Sequence, residues 1–244
     1  MNFTERYKNG ETATVYSDIT SLGQAAFTEQ YYMDIEGVVT ETMPRTAYNL
    51  EITYHELLSM GYNFNKEAQY SFDIPLNKPV ANAPKLITQL EKAVEPIGFV
   101  PLSLQLFYRK VGSCNFAWDY TTDENSLWEG SDPVQIAPLD DVIEQVTDEY
   151  WLEDLNDSDD KPYLKLSADY LHKDNISGGP AYGIKITPYR SIDSYLLNEV
   201  HQTSFIDYLR TIFENCGFGR TQHLGNVASF KHFCNNVKPK LLKI

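Results

Sequence analysis

Apolar residues recur at intervals of three and four positions along much of the chain, a spacing typical of helices that bury one face. Five stretches show this spacing: 46–61, 84–94, 101–111, 138–146 and 204–215. Thr46 and Gly61 suit the first and last turns of the first helix, and Pro84 suits the first turn of the second. The pattern therefore predicts five amphipathic helices.

Strands are indicated between these helices by alternating and β-branched residues. The predicted strands cover residues 113–118, 134–136, 162–168 and 182–186. The cluster Gly178-Gly179-Pro180 predicts a turn between the last two. Because helices and strands do not alternate strictly, we expect an α+β fold, with a mixed or antiparallel sheet and helices packed on it.

The two ends of the chain have patterns of their own. In the first 44 residues, β-branched residues favour strands at 12–16 and 37–42, and 22–33 is compatible with a helix. We interpret 1–44 as an N-terminal extension, 45–219 as the α+β core and 220–244 as a basic C-terminal helix or tail. Spaced apolar residues predict that this tail is a helix packed on the core, and binding to a partner or a membrane surface is the alternative.

The negative charge of the chain is concentrated in one segment. The chain has 34 acidic and 20 basic residues, a formal net charge of −14. Residues 113–160, the acidic segment, contain 15 Asp and Glu and no Lys or Arg, whereas the rest has 19 acids and 20 bases. Charge of this sign argues against nucleic acid or an anionic membrane as partner, since both require clustered Lys and Arg.

Candidate sites for metal binding and nucleophilic catalysis each lack part of the required pattern. The acidic loop 154–165 offers oxygen donors, but it has no Gly at the sixth and no Glu at the twelfth position of a calcium loop. His172, Asp174 and Ser177 are close in sequence, but no nucleophile-elbow motif surrounds the serine. We therefore expect no metal or cofactor, and a binding role is favoured over an enzymatic one.

The cysteines indicate a reducing compartment. Cys114, Cys216 and Cys234 cannot form a complete set of disulfides. Cys216 and Cys234 offer zinc-type donors together with His223 and His232, but the closely spaced pairs of structural zinc sites are missing. The first residues are polar, and no apolar run approaches the roughly 20 residues that span a bilayer. We expect a cytoplasmic protein.

Several segments together resemble the SUKH superfamily. Residues 100–112 (VPLSLQLFYRKVG) are similar to its proline-led helix with an aromatic pair, which stops at a glycine before the first strand. Residues 132–142 resemble the strand-to-helix step that follows, and 205–210 resemble the closing helix. The resemblance covers about residues 84–219 and implies a SUKH-like core behind an N-terminal extension. It carries over no catalytic residues.

A second resemblance lies in residues 168–182 (ADYLHKDNISGGPAY), the motif segment. It is similar to a motif of a largely uncharacterised bacterial family, which shares the Gly61-Tyr62 helix ending and the 216–218 region. The family follows its final Gly-Phe with Pro-Gly, where this chain has Gly219-Arg220, and this weakens the local match. Whether the motif segment is functional or a structural turn is left open. Its candidate residues are His172, Lys173, Asn175, Ser177, Gly178, Gly179 and Tyr182.

The SUKH resemblance implies a role in binding, because these proteins are largely immunity proteins that neutralise secreted polymorphic toxins. We expect the acidic segment to cover a cationic protein partner such as a toxin domain. Tyr120 and Trp128 are further candidate anchors, and core packing is the alternative for Trp128 and Trp151. The other hypotheses are a small-ligand-binding protein or enzyme that uses residues 172–182, and a general interaction protein. The expected partner-binding residues are Asp148, Glu149, Tyr150, Trp151, Glu153, Asp154, Asp157, Asp159 and Asp160.

Overall fold

Helices surround two small sheets in an α+β arrangement. The computed structural model describes residues 2–64, 70–148, 151 and 162–244. Its α-helices are α1 (Phe3–Lys8), α2 (Thr12–Ser21), α3 (Tyr32–Ser59), α4 (Ala83–Val94), α5 (Leu102–Lys110), α6 (Leu139–Thr147), α7 (Tyr170–Lys173), α8 (Phe205–Glu214) and α9 (Ala228–Val237). Its strands are β1 (Leu76–Asn77), β2 (Ser113–Asn115), β3 (Gln135–Ile136), β4 (Tyr163–Ser167), β5 (Tyr182–Lys185) and β6 (Leu196–Leu197).

Both sheets are antiparallel and have three strands, in the orders β1-β2-β3 and β4-β5-β6. They are joined at one point, where the Ala137 N–H donates to the Leu166 carbonyl over 2.7 Å. Beside it, the Gln135 side chain accepts from the Ala168 N–H over 2.8 Å. The predicted α+β class is confirmed. The strands predicted at 162–168 and 182–186 are found as β4 and β5, which pair with each other. The connection between β4 and β5 contains α7 as well as the predicted turn.

The strands predicted at 12–16 and 37–42 are wrong, because these residues lie in α2 and α3. Their β-branched residues serve a buried helix face instead. The Thr42 hydroxyl donates to the Val38 carbonyl over 2.9 Å, and the Thr46 hydroxyl donates to the Thr42 carbonyl over 3.0 Å. Threonine is tolerated inside a buried helix when its hydroxyl is satisfied in this way by the preceding turn.

Residues before 45 contribute to the same core as the rest of the chain. Helix α3 has 28 residues and runs across the predicted boundary at 44, with Pro44 inside it. Phe3, Tyr7, Val15 and Ile19 are each at most 2% exposed and belong to the hydrophobic core. The segment interpreted as an extension is therefore packed into the fold.

Helix α9 packs on the body of the protein, as the spacing of its apolar residues predicts. Phe230, Phe233 and Val237 are buried on its inner face. After the helix, the Asn49 side chain exchanges two hydrogen bonds of 2.8 Å with the Leu242 backbone. Within the described part of the chain, no helix combines the length and apolar character needed to cross a bilayer.

Candidate functional site

Asp169 begins the short helix in the motif segment. Its side chain accepts from the Leu171 N–H over 2.9 Å, which caps α7, and it also contacts Nδ1 of His172. Burial of Asp169 opposes its ionisation, but hydrogen bonds from His172 and Leu171 outweigh that effect, and the pKa of Asp169 lies below its usual value. The His172 side chain remains half exposed. Asp169 and His172 therefore fix the first turn of α7.

Lys173 forms a fully buried ion pair with Asp132. Its Nζ lies 2.6 Å from Oδ1 of Asp132, and neither side chain is exposed. The Tyr182 hydroxyl donates to Oδ2 of Asp132 over 3.2 Å, and the Lys173 ammonium lies 4.8 Å from the centre of the Tyr182 ring. Burial, and then the neighbouring Asp132 carboxylate, raise the pKa of Tyr182. Two residues of the motif segment thus hold one acid of the acidic segment.

Asp174 forms a second connection between the same two segments. One carboxylate oxygen accepts from the Tyr120 hydroxyl over 3.1 Å, and the other accepts from the Gly130 N–H over 2.8 Å. Burial raises the pKa of Asp174. Asn175, which follows, has a positive φ of 58°. Asp174 therefore fixes the loop between β2 and β3 at two points.

Only one of the two adjacent glycines of the motif segment is required by packing. A Cβ on Gly178 would lie 2.4 Å from Oδ1 of Asp169, whereas a Cβ on Gly179 would meet nothing within 4 Å. Ser177 is exposed beside them, and no described hydrogen bond joins it to His172. Activation of Ser177 as a nucleophile by His172 would require that bond.

The strand-like run 131–134 carries Asp132 and pairs with residues 217–220. The Gly219 N–H donates to the Asp132 carbonyl over 2.7 Å, and the Val134 N–H donates to the Gly217 carbonyl over 2.9 Å. A Cβ on Gly219 would lie 2.6 Å from Oδ2 of Asp132. The chain therefore uses an N–H at position 219 that the proline of the resembling family could not supply.

Glu199 and His201 lie beside this pairing, and the sequence patterns did not single them out. Glu199 is 1% exposed, and its Oε1 has no hydrogen-bond partner among the described residues. Burial raises the pKa of Glu199. His201 donates from Nε2 to the Gly219 carbonyl over 2.8 Å. Glu199 and His201 thus extend the Asp132–Lys173 pair into a larger buried polar cluster. The residues of this cluster do not form a short motif in the sequence.

Of the predicted partner-binding residues, the structure describes two. Asp148 is exposed, whereas Trp151 is buried, with 9% of its surface exposed. The other predicted residues lie outside the described part of the chain: Glu149, Tyr150, Glu153, Asp154, Asp157, Asp159 and Asp160. The indole of Trp151 packs with the hydrophobic core, so it is not presented to a partner in this conformation.

Trp128 also belongs to the core. Its ring centre lies 5.0 Å from that of Phe230, 5.1 Å from Phe233 and 5.3 Å from Phe218. Its Nε1–H donates to the Ser229 hydroxyl over 3.1 Å. Trp128 is therefore a core residue, which was the alternative to an anchor role. Its contacts hold α9 against the acidic segment.

The other acids of the acidic segment divide into buried and exposed groups. Asp119 is buried and accepts from the Thr121 hydroxyl over 2.6 Å. Asp132 is neutralised by Lys173. Asp141 is partly exposed. The exposed acids that the structure describes are Asp123, Glu124, Glu129, Asp140, Glu144 and Asp148.

Helix α6 carries an acidic face. Asp140, Glu144 and Asp148 are four residues apart, so they follow one another along one side of the helix and its end. Burial, then the charges of Asp140 and Glu144, raise the pKa of Asp141. Neither Asp140 nor Glu144 forms an ion pair with a residue that the structure describes. Asp140 and Glu144 therefore carry negative charge that no described ion pair neutralises.

A cleft of about 730 Å³ lies between the N-terminal helices and residues 190–210. Its lining includes Tyr16, Phe27, Arg190, Asp193 and Arg210. Arg190 stacks on Phe27, with its guanidinium carbon 4.6 Å from the ring centre. His172 does not line this cleft, nor does it line the smaller cleft of about 660 Å³ beside the C-terminus. Where the structure describes the chain, no group of three or more His, Cys, Asp or Glu is placed to hold a metal ion.

Comparisons with protein-family models, with curated proteins and with solved structures give no significant match to this chain. The α+β fold is the class that the elements define. Function therefore has to be argued from the contacts and charges described above.

Proposed function

We propose that this chain is a cytoplasmic binding protein that recognises a cationic protein surface through its acidic segment, as an immunity protein does with a toxin. One observation carries the proposal: 15 acids without one base in residues 113–160. The buried acids Asp119 and Asp132 are satisfied within the protein. Five further acids of the segment are exposed to solvent, so their charge can attract a partner: Asp123, Glu124, Glu129, Asp140 and Glu144.

Helix α6 offers the best-defined part of this surface. Burial, and after it repulsion by the charges of Asp140 and Glu144, raises the pKa of Asp141. A Lys or Arg of a partner placed among Asp140, Asp141 and Glu144 would relieve this repulsion, so part of the binding energy would come from strain that is present before binding. Long-range attraction would also accelerate the encounter of the two proteins.

The test measures association with a defined cationic partner, such as a toxin domain encoded by a neighbouring gene. The triple variant D140N/D141N/E144Q removes three acids of α6, and E51Q/E91Q/E95Q removes three exposed acids outside the acidic segment. We expect the α6 variant to lower the association rate constant about tenfold at low salt, and the control to change it far less. Equal rate constants for the two variants would refute the proposed surface.

The dependence of the association rate on salt distinguishes attraction between α6 and the partner from a general effect of net charge. Both triple variants change the net charge by the same amount. If α6 faces the partner, the association rate of the α6 variant depends less on ionic strength than that of the control. If both variants respond to salt alike, the charge acts at a distance and α6 is not the contact.

We propose small-ligand binding as a second function, favoured by the cleft between α2 and residues 190–210. Its volume falls within the range of about 300–1,000 Å³ usual for ligand sites. Arg190 stacks on Phe27 and Tyr32 and has no acidic partner among the described residues, whereas Arg210 pairs with Asp207 over 2.6 Å. A small organic anion with an apolar body fits an unpaired guanidinium above aromatic rings.

Anilinonaphthalene sulfonate is a suitable probe of the cleft, because it combines a sulfonate with aromatic rings. We expect R190Q to weaken its binding about tenfold. R220Q is the matched control, since Arg220 stacks on Tyr170 but does not line the cleft. Binding that is equally strong in both variants, measured by fluorescence titration of the folded protein, would exclude this site.

A further inference from the structure

The cleft between α2 and residues 190–210 contains a guanidinium that is held in place by its neighbours. The guanidinium carbon of Arg190 lies 4.6 Å from the ring centre of Phe27 and 5.4 Å from that of Tyr32. The main-chain carbonyl of Arg190 accepts from Nε2 of Gln24 over 2.9 Å, which fixes the backbone at the same point. The N–H groups of Arg190 have no side-chain acceptor in the described part of the chain. The cleft therefore presents a pre-organised cation to a ligand.

Two hydroxyl groups in the wall of the same cleft are buried without a hydrogen-bond partner. They are Oγ of Ser191 and Oγ1 of Thr203, and neither bonds to a residue that the structure describes. The main chain is fixed at both positions: the Ser191 carbonyl accepts from the Leu102 N–H over 3.0 Å, and the Thr203 carbonyl accepts from the Leu196 N–H over 2.9 Å. A buried hydroxyl without a partner is costly, and its rotation about χ1 toward a ligand would break no hydrogen bond.

The other charged groups of the cleft are engaged within the protein. Arg210 pairs with Asp207 over 2.6 Å. Asp193 accepts from the Ser103 hydroxyl, also over 2.6 Å. In the described lining this leaves the Arg190 cation unpaired, which suits a ligand with a single negative charge. A carboxylate meets that requirement and can bind a guanidinium through two parallel hydrogen bonds, whereas a phosphate monoester carries a charge of about −1.5 to −2.

We propose that the ligand of this cleft is a sugar acid, a ring that carries several hydroxyls and one carboxylate. This inference rests on the proposed ligand-binding function of the cleft and specifies the class of ligand. The carboxylate would bind the N–H groups of Arg190. Ring hydroxyls, which both donate and accept, would provide the missing partners of Ser191 and Thr203. Tyr195 lines the cleft with 60% of its surface exposed, so its ring can cover the C–H face of the sugar.

The test compares ligands by ligand-observed NMR titration of the full-length protein. D-Galacturonate and D-glucuronate have both the carboxylate and the hydroxyls, D-galactose lacks the carboxylate, and cyclohexanecarboxylate lacks the hydroxyls. We expect at least one of the sugar acids to bind about tenfold more tightly than galactose and cyclohexanecarboxylate. If neither sugar acid binds more tightly than cyclohexanecarboxylate, the hydroxyls are not recognised and the proposal is wrong.

Two variants locate the recognition of the hydroxyls. S191A/T203V removes both unpartnered hydroxyls. S21A is the matched control, since Ser21 lines the same cleft but its hydroxyl already donates to the Ser17 carbonyl over 2.9 Å. We expect the double variant to bind the sugar acid about tenfold more weakly and to keep its affinity for cyclohexanecarboxylate, whereas S21A keeps both affinities. An unchanged affinity of the double variant for the sugar acid would contradict the assigned contacts.

The double variant is expected to fold, because it loses no described hydrogen bond and its urea midpoint should therefore not fall. The comparison of ligands on the wild-type protein decides the class of ligand even if this variant is unstable. A trigalacturonate titration shows the source of the sugar acid. Binding that is much tighter than that of the monosaccharide would assign the end of an acidic oligosaccharide, and equal binding would assign a free sugar acid.

The titration with anilinonaphthalene sulfonate separates this inference from the proposed function. If the dye binds in a manner that depends on Arg190 and the sugar acids do not bind, the cleft takes ligands of another class and the sugar-acid inference alone is wrong. If the dye also fails to bind, the ligand-binding function of the cleft is wrong as well.

Discussion

Lys173 and Asp132 are both removed from water, which makes their pairing essential. Moving either charge into the protein interior costs several kcal/mol of desolvation, and the attraction between them offsets most of it. The pair adds little net stability compared with apolar side chains of the same size. Loss of one partner is far more costly, because the other charge then stays buried and uncompensated.

We expect K173M to lower the free energy of unfolding by about 3–5 kcal/mol, and D132N to lower it by a similar amount. The double variant K173M/D132N leaves no unpaired buried charge, so it should be destabilised by clearly less than the sum of the two. Urea unfolding of the four proteins measures this coupling. Additive losses would show that the two charges do not depend on each other.

The adjacent glycines of the motif segment give a matched pair of substitutions. G178A places a methyl group against the Asp169 carboxylate, which would have to move away from His172. We expect a loss of about 1–3 kcal/mol in the free energy of unfolding. G179A meets open space and should change stability by less than about 0.5 kcal/mol. The order of the two unfolding midpoints in urea tests this contrast, and a reversed order would contradict it.

The motif segment shows which individual side chains a sequence pattern can identify. Residues 168–182 stood out as a unit, and both Lys173 and Tyr182 were among the predicted residues. Asp132 was counted only as one acid of many. It lies 41 positions from Lys173, and only the folded chain brings the two together. A buried ion pair between distant segments leaves no short pattern in the sequence.

Burial of Asp141, together with the charges of Asp140 and Glu144, makes stability depend on pH. Since the folded-state pKa of Asp141 is raised, the folded protein binds this proton more tightly than the unfolded chain does. The resulting stabilisation is fully present below the unfolded pKa, about 3.9, and is lost as pH rises through the folded pKa. At neutral pH the ionised Asp141 is therefore destabilising.

We expect D141N to raise the urea midpoint at pH 7, because it removes this charge from the face of α6. The gain over the wild type should shrink as the pH is lowered through the folded pKa of Asp141. E95Q, which removes an exposed acid on another element, is the control and should show a much smaller gain. A gain for D141N that is constant with pH would contradict the electrostatic cause.

Helix α9 illustrates how one element depends on a distant one. Its apolar spacing predicted a helix, and its inner face packs on Trp128 as well as on Phe218. The indole that appeared available for a partner serves to hold this helix. An aromatic residue in a charged segment has the same one-letter pattern whether it faces solvent or the core, so sequence could not decide between the two roles.

The whole molecule has one core to which the N-terminal residues contribute. Helices α1 and α2 and the first half of α3 supply buried residues, and Arg210 of α8 donates to the Thr12 carbonyl over 3.2 Å. Removal of this part would expose apolar surface worth far more than the 5–15 kcal/mol by which a typical protein is stable. The division at residue 44 does not separate two independent packing units.

We therefore expect a fragment of residues 45–244 not to unfold cooperatively. It should lack the sharp urea transition of the full chain and show reduced helicity by circular dichroism, because α3 would begin in mid-helix without its packing partners. The full-length protein, prepared identically, is the reference. A cooperative transition at the midpoint of the full chain would show that the first 44 residues are dispensable for folding.

Local patterns in the sequence determined most of the helices and strands after residue 45, the α+β class and the concentration of charge in residues 113–160, but they did not predict β1, α7 and β6. These follow from periodicity and composition, which are properties of neighbouring residues. The tertiary structure decided which acids are buried, that Trp128 and Trp151 pack inside, and that the first 44 residues join the core. The reason is physical: burial and pairing depend on distances between segments far apart in the chain, and no local pattern encodes those distances.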